Sequence, residues 1–243
     1  MGNSHEEFFK KKKGQRKKRK EDIRERAPYK YLIVSEGIKT ETNYFQGIQN
    51  KINVRYNNTV NIKESIELKI EGTGRNTNSL VNVVDTFLVD IDRYLNTSDV
   101  LYGHIWVIFD KDDFTDNQFN SAISQANARG YNVGWSNESF ELWFLLHFEH
   151  LVSGIGREQY NEKLTKHFRE NKIFTKYKIK GNDYIKNIEH IFEILYDNGS
   201  YKQAINRAEK LLKDFEDKGI YTPSKMKPAT TVFKLVLELS QFF

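Results

Sequence analysis

A chain of 243 residues with 38% hydrophobic and 14% aromatic content is long enough to bury a sizeable core, and its 29% of charged residues suits a water-facing surface. It has no cysteine, which excludes disulfides, zinc–thiolate centres and a cysteine nucleophile, and no apolar run approaches the ~18–20 residues of a membrane span. The net charge of +5 is unevenly placed: residues 1–26 carry eleven Lys/Arg against five Asp/Glu, so they hold +6 and residues 27–243 sum to −1.

The segment KKKKGQRKKRK (10–20) has nine cations in eleven positions and nothing to bury. It reads as a disordered basic arm over residues 1–27. Such an arm suits nucleic-acid phosphates, with Lys17, Lys18 and Arg19 at its densest point, and its affinity should fall as salt rises. The alternative is a solubilising tail. No apolar signal segment follows the N-terminus, and the chain is expected to be cytoplasmic, with no membrane partner.

From Tyr29 the periodicity alternates. KYLIVS (30–35) predicts a short buried strand and 41–52 a helix, with Thr40 as N-cap. Residues 66–71 predict a second strand, followed by the glycine loop EGTGRNTN (71–78). Leu80, Val83, Val84, Phe87, Leu88, Ile91, Tyr94 and Leu95 then form one apolar helical stripe. HIWVIFD (104–110) is continuously apolar, as a strand covered on both faces requires. A helix around Phe119–Ala126 closes on Gly130, YNVGW (131–135) is a fourth strand, and SFELWFLLHF (139–148) is an apolar helix. The βαβαβαβα order predicts an α/β fold with a mainly parallel sheet of about four strands flanked by helices.

Beyond residue 150 the pattern is helical, at about 158–169, 184–196, 199–217 and 229–241, while KIFTKYKIKG (172–181) fits a strand or a loop. Residues 28–150 therefore read as the α/β core and 151–243 as a mostly helical extension packed on it.

Both the first and third strands end in acids: Glu36 before Gly37, and Asp110, Asp112 and Asp113 in FDKDD. Ligands of open parallel sheets bind beyond the carboxyl ends of the strands. Residues two apart in an extended chain point the same way, which pairs Asp110 with Asp112. Carboxylates gathered at one edge repel one another, and a hard divalent ion, Mg²⁺ or Mn²⁺, relieves that repulsion. Lys39 after Gly37, and Arg75 in the glycine loop, are placed to meet a phosphate. Strand-end acids also serve as turn formers and helix caps. Trp135, Phe140, Trp143, Phe144 and Phe148 offer base stacking or, at helical spacing, core packing.

YLIVSEGIKTETNYF, EGTG, VIFDKDD and WSNESFELWFLLHF together resemble the RloB-like family, whose N-terminal core is similar to the Toprim fold; KPATTVFKLV (227–236) resembles its C-terminal pattern. The resemblance implies that Glu36 is the Toprim glutamate, Asp110 and Asp112 its acidic pair, and Glu141 a further acid of the metal shell. It also implies a prokaryotic defence protein of the restriction-associated or abortive-infection kind, paired with an AAA- or ABC-type ATPase. Glu138 stands where the family has proline, and Ser35 where it has cysteine. The expected activity is Mg²⁺-dependent cleavage of DNA or RNA phosphodiesters. The alternatives are a non-catalytic nucleic-acid-binding module that regulates the ATPase, and nucleotidyl transfer on the same acids.

Overall fold

A computed structural model of the chain describes residues 30–57, 67–72, 80–82, 84, 104–112 and 114–243. The basic arm with Lys17, Lys18 and Arg19, the loop carrying Arg75, Asp113 and most of the helical stripe after Leu80 lie outside the described residues.

In chain order the elements are β1 (Lys30–Ser35), α1 (Thr40–Asn57), β2 (Glu67–Gly72), β3 (His104–Asp110), α2 (Asp116–Ala128), β4 (Asn132–Asn137) and α3 (Glu141–Leu145). There follow α4 (Arg157–Glu170), α5 (Ile173–Lys176), α6 (Ile191–Asn198), α7 (Tyr201–Glu216), β5 (Ala229–Thr230) and α8 (Val232–Ser240). The sheet order is β2-β1-β3-β4-β5. β1 to β4 are mutually parallel, and the two-residue β5 adds antiparallel to β4. The fold is α/β, as the alternation of periods predicts.

Strand alternation divides the core. Tyr31, Ile33, Trp106 and Ile108 face one apolar cluster, built with α1 and α3 to α8. Leu32, Val34, Val107 and Phe109 face the other, with α2 and the helical residues Leu80, Val81 and Val84. Burial on both faces is why β1 and β3 read as unbroken apolar runs. Trp135 lies in the second cluster and Phe140, Trp143 and Phe144 in the first, with Phe148 packed against it, so these rings are core.

Sheet order also sets the position of the site. The chain leaves β1 to form β2 on one side and returns to form β3 on the other. The crevice where the order reverses therefore opens between the carboxyl ends of β1 and β3. Parallel register aligns those ends: Ser35 lies opposite Ile108, the Glu36 N–H donates to the Ile108 carbonyl at 2.9 Å, and Asp110 lies opposite Ser136.

Several expected boundaries shift for identifiable reasons. The helix expected over 184–196 forms only from Ile191. The residues before it are drawn off by side chains: the Thr40 hydroxyl donates to the Lys186 carbonyl at 2.9 Å, Asn43 Nδ2 to the Ile188 carbonyl at 3.2 Å, and the Tyr184 N–H to the Thr165 hydroxyl at 2.9 Å. Thr40 is thus the first helical residue of α1 and ties the helix to this loop, not the N-cap expected of it. The segment 172–181 contains the one-turn α5 and no strand. The apolar helix over 139–148 keeps only the short α3, and the last helix is preceded by β5.

α1 meets α6 at Gly47, where an added Cβ would stand 2.5 Å from Phe192 Cβ. Helix propensity alone favours Gly47→Ala by ~1 kcal/mol. The overlap with an atom fixed to the opposing backbone outweighs this gain, and the substitution is expected to destabilise by about 1–3 kcal/mol, read as a lower urea midpoint at unchanged m-value.

Candidate active site

The β1–α1 turn is built from small polar residues. The Ser35 and Thr42 hydroxyls both donate to the Gly37 carbonyl, at 3.0 and 2.9 Å. Ser35, at the position where cysteine is expected, is fully buried and hydrogen-bonds in that turn. Gly37 packs directly on the Glu41 carboxyl: a Cβ there would fall 1.7 Å from Glu41 Oε2. Any larger residue at position 37 would therefore push Glu41 out of its place.

A cavity of about 470 Å³ opens at the carboxyl edge of the sheet, between the ends of β1 and β3. Among the described residues five acids line it: Glu36, Glu41, Asp110, Asp112 and Glu141. Lys39, Arg157 and Lys186 bring positive charge to the same walls. Glu36, Lys39, Asp110 and Asp112, singled out by the strand ends, and Glu141, singled out by the family resemblance, thus line one cavity.

Asp112 arrives by a different route. β3 ends at Asp110, and Asp112 sits in the following turn with φ +36°, so strand alternation is not what orients it. Its N–H donates to the Glu138 carbonyl at 3.0 Å, and its Oδ2 lies 2.7 Å from Arg157 Nη2. The Asn137–Glu138 peptide is cis, and Glu138 pairs with Lys227. Lys111, between the two aspartates, points away and pairs with Asp116 at 3.2 Å.

Three of the acids are almost sealed from water: Glu41, Asp110 and Glu141 are 6%, 7% and 2% exposed. With so little screening, burial pushes the Asp110 carboxyl well above its usual range, and the charges of Glu41, Glu141 and Glu36 push it further. The Phe140 N–H, donating to Asp110 Oδ2 at 2.9 Å, only partly offsets this. Asp110 Oδ1 is buried with no hydrogen-bond partner among the described residues. Glu41 is pushed up to about 7, chiefly by burial and by the charge of Glu141, against the opposing pull of its own backbone hydrogen bond, Lys186 and Arg157.

Among the described residues the donor set consists of carboxylate oxygens without histidine or cysteine, which suits Mg²⁺ or Mn²⁺ and not zinc. Among the described residues no three such groups enclose a ready-made ion site. That openness is compatible with Mg²⁺, which keeps several waters and is held by one or two carboxylates with substrate phosphate completing its shell. The unpartnered Asp110 Oδ1 is the oxygen most in need of such a charge.

Sequence reasoning missed Glu41, Arg157, Lys186 and Asn187. Glu41 carries a faint signal, since it falls one helical turn beyond Glu36-Gly37 in a first helical turn that favours an acid on other grounds. Arg157 begins α4, and Lys186 and Asn187 lie in the loop tethered to α1. Only the packing of the last third of the chain brings them here.

Among the described residues no helix is long and apolar enough to cross a membrane. No curated protein and no solved structure matches this chain. The family model described as RloB-like protein matches residues 31–239, from the first residues of β1 to within α8, and so spans both the sheet and the helices that complete the cavity. On that match the chain belongs to the RloB-like protein family.

Proposed function

We propose that this protein is a Toprim-type, metal-dependent nuclease that hydrolyses nucleic-acid phosphodiesters. The observation carrying this reading is a buried Asp110 with an unpartnered oxygen, set among four further carboxylates where the strand order reverses. Asp110 and Glu141, with Asp112 and Glu36, would hold Mg²⁺ or Mn²⁺. When bound, the ion supplies the charge that clamps a phosphate and acidifies a water for in-line attack.

The chain's own groups do the rest. Glu41, raised to about 7 by burial and by Glu141 in the metal-free cavity, stands beside the ion site, where a bound cation would pull its carboxyl back toward the ionised form able to accept a proton. Glu36, at the cavity wall, either shares the ion or accepts a proton from water. Lys39 meets a phosphate oxygen at the same wall. The basic arm, with Lys17, Lys18 and Arg19, recruits the polymer, and Arg75 adds a backbone contact. Family membership supports a role in prokaryotic anti-phage defence beside an ATPase of the AAA or ABC class.

The test incubates purified protein, alone and with its ATPase, with mixed DNA and RNA in Mg²⁺, Mn²⁺ or chelator, beside the Glu36→Gln variant. Strand shortening that needs the divalent ion and falls at least about 10²-fold in the variant is the expected result. Product growth from nucleoside triphosphates, or no cleavage with the partner present, overturns the reading.

A further inference from the structure

Arg157 is the first residue of α4, and its guanidinium meets Asp112 at the cavity wall at 2.7 Å. Both side chains are partly open to water, at 30% and 31% exposure, so the pair is cheap to separate. Arg157 Nε is buried with no hydrogen-bond partner among the described residues, which leaves the fork with donor capacity beyond what Asp112 accepts. The charges of Asp112, Glu141 and Asp110 all hold this cation at the acidic wall, and Lys186 acts on Glu41 in the same cavity. A guanidinium matches the planar, bidentate geometry of a phosphate better than any other side chain.

We propose that Arg157 is the phosphate-holding arm of the site: parked on Asp112 in the free protein, it transfers to a phosphodiester of the entering nucleic acid, with Lys186 as the second cation. This rests on reading the cavity as a nucleic-acid site. It adds that the helical extension supplies the phosphate grip while the sheet supplies the acids, and that Asp112 competes with substrate for Arg157. The consequence is unusual: removing an acid expected to hold metal should tighten metal-free binding.

The experiment uses the full chain in chelator with a fluorescent mixed-sequence pentanucleotide, and in parallel inorganic phosphate. The basic arm contributes equally to every variant. Asp112→Asn is expected to tighten pentanucleotide binding about 2- to 5-fold, by releasing an exposed ion pair. Arg157→Gln should weaken it about 10-fold and lower the salt slope by about 1. The double variant should match Arg157→Gln alone, because Asp112 acts only through Arg157. Arg157→Lys, which keeps the charge without the fork, should fall between, and it carries the test if Arg157→Gln unfolds.

Unchanged or weaker binding by a folded Asp112→Asn protein overturns the parking of Arg157. A response confined to inorganic phosphate overturns the assignment to a nucleic-acid backbone. Cleavage in Mg²⁺, measured on the same preparations, reports separately on the nuclease reading, since the chelator pattern does not depend on chemistry.

Discussion

Asp110→Asn is expected to abolish cleavage and, in the same protein, to raise the melting temperature. The two effects share one cause. Asp110 sits at the end of β3 with its carboxyl buried, one oxygen unpartnered, and the charges of Glu41, Glu141 and Glu36 acting on it. A fold does not assemble such a group for stability, since an isolated buried carboxylate among like charges is among the costlier things an interior can hold. Asparagine has the same shape, keeps an oxygen to accept the Phe140 N–H, and removes the charge. The expected rise in Tm at neutral pH is at least about 3 °C, the shift that ~1 kcal/mol produces in a chain of this length. The loss of cleavage should reach about 10²–10³-fold, as removal of one electrostatic contributor from a water-poor site does. A variant less stable than the parent at pH 7.5 would mean that Asp110 is a satisfied structural acid, and the catalytic reading would lose its main support. Thermal unfolding and cleavage of one preparation decide between them.

Part of the site can be read from the sequence alone, and the dividing line is physical. Glu36 and Asp110 are legible because each follows a continuous apolar run, and a run covered on both faces must be a strand whose end lies at the sheet edge. Strand alternation points to Asp112 for a reason that does not apply: the turn, not the pleat, brings it to the cavity. Glu141 has no pattern of its own, being one acid in the first turn of a short helix, and only resemblance to a family singles it out. Glu41 is nearly invisible, because its meaning depends on burial against Gly37 and proximity to Glu141. Arg157 and Lys186 are invisible altogether. Arg157 is placed by the packing of α4 on the core, and Lys186 by the capture of the loop after α5 by Thr40, Asn43 and Thr165, contacts that also cancel a helix the local periodicity favours. Periodicity reports which face of an element is dry; it carries no information on which distant loop closes over that element's end.

Glu41 provides the second large effect, as a dependence of stability on pH that a divalent ion should reverse. Its carboxyl is raised to about 7 in the folded protein, so between roughly pH 4.5 and 7 the folded state holds a proton that the unfolded state has released. Stability from this group is therefore complete at low pH and is lost as pH rises through about 7, by roughly 3 kcal/mol. His147 works the other way. Burial lowers it to about 4, so its contribution grows with pH from about 4 to 6.5 and masks Glu41 over that range. Glu149, held below its usual range by Lys163 and His167 despite the cost of burial, contributes stability lost only at lower pH. Comparing the parent with Glu41→Gln removes both masks. The two proteins should melt close together at pH 5, and the variant should melt about 6–12 °C higher at pH 8, with Glu36, Asp110, Glu141, Tyr184, Arg157 and Lys186 facing the group in both. Millimolar Mg²⁺ at pH 8 should then raise the parent's Tm by several degrees, because an ion that binds only the folded state stabilises it by mass action. The same addition should do little at pH 5, where protons occupy the carboxyls, and little to Asp110→Asn at any pH. A parent whose Tm is indifferent to Mg²⁺ at pH 8 has a cavity whose repulsion is relieved by protons and by Arg157 alone, and the acids would then have to be explained without a metal.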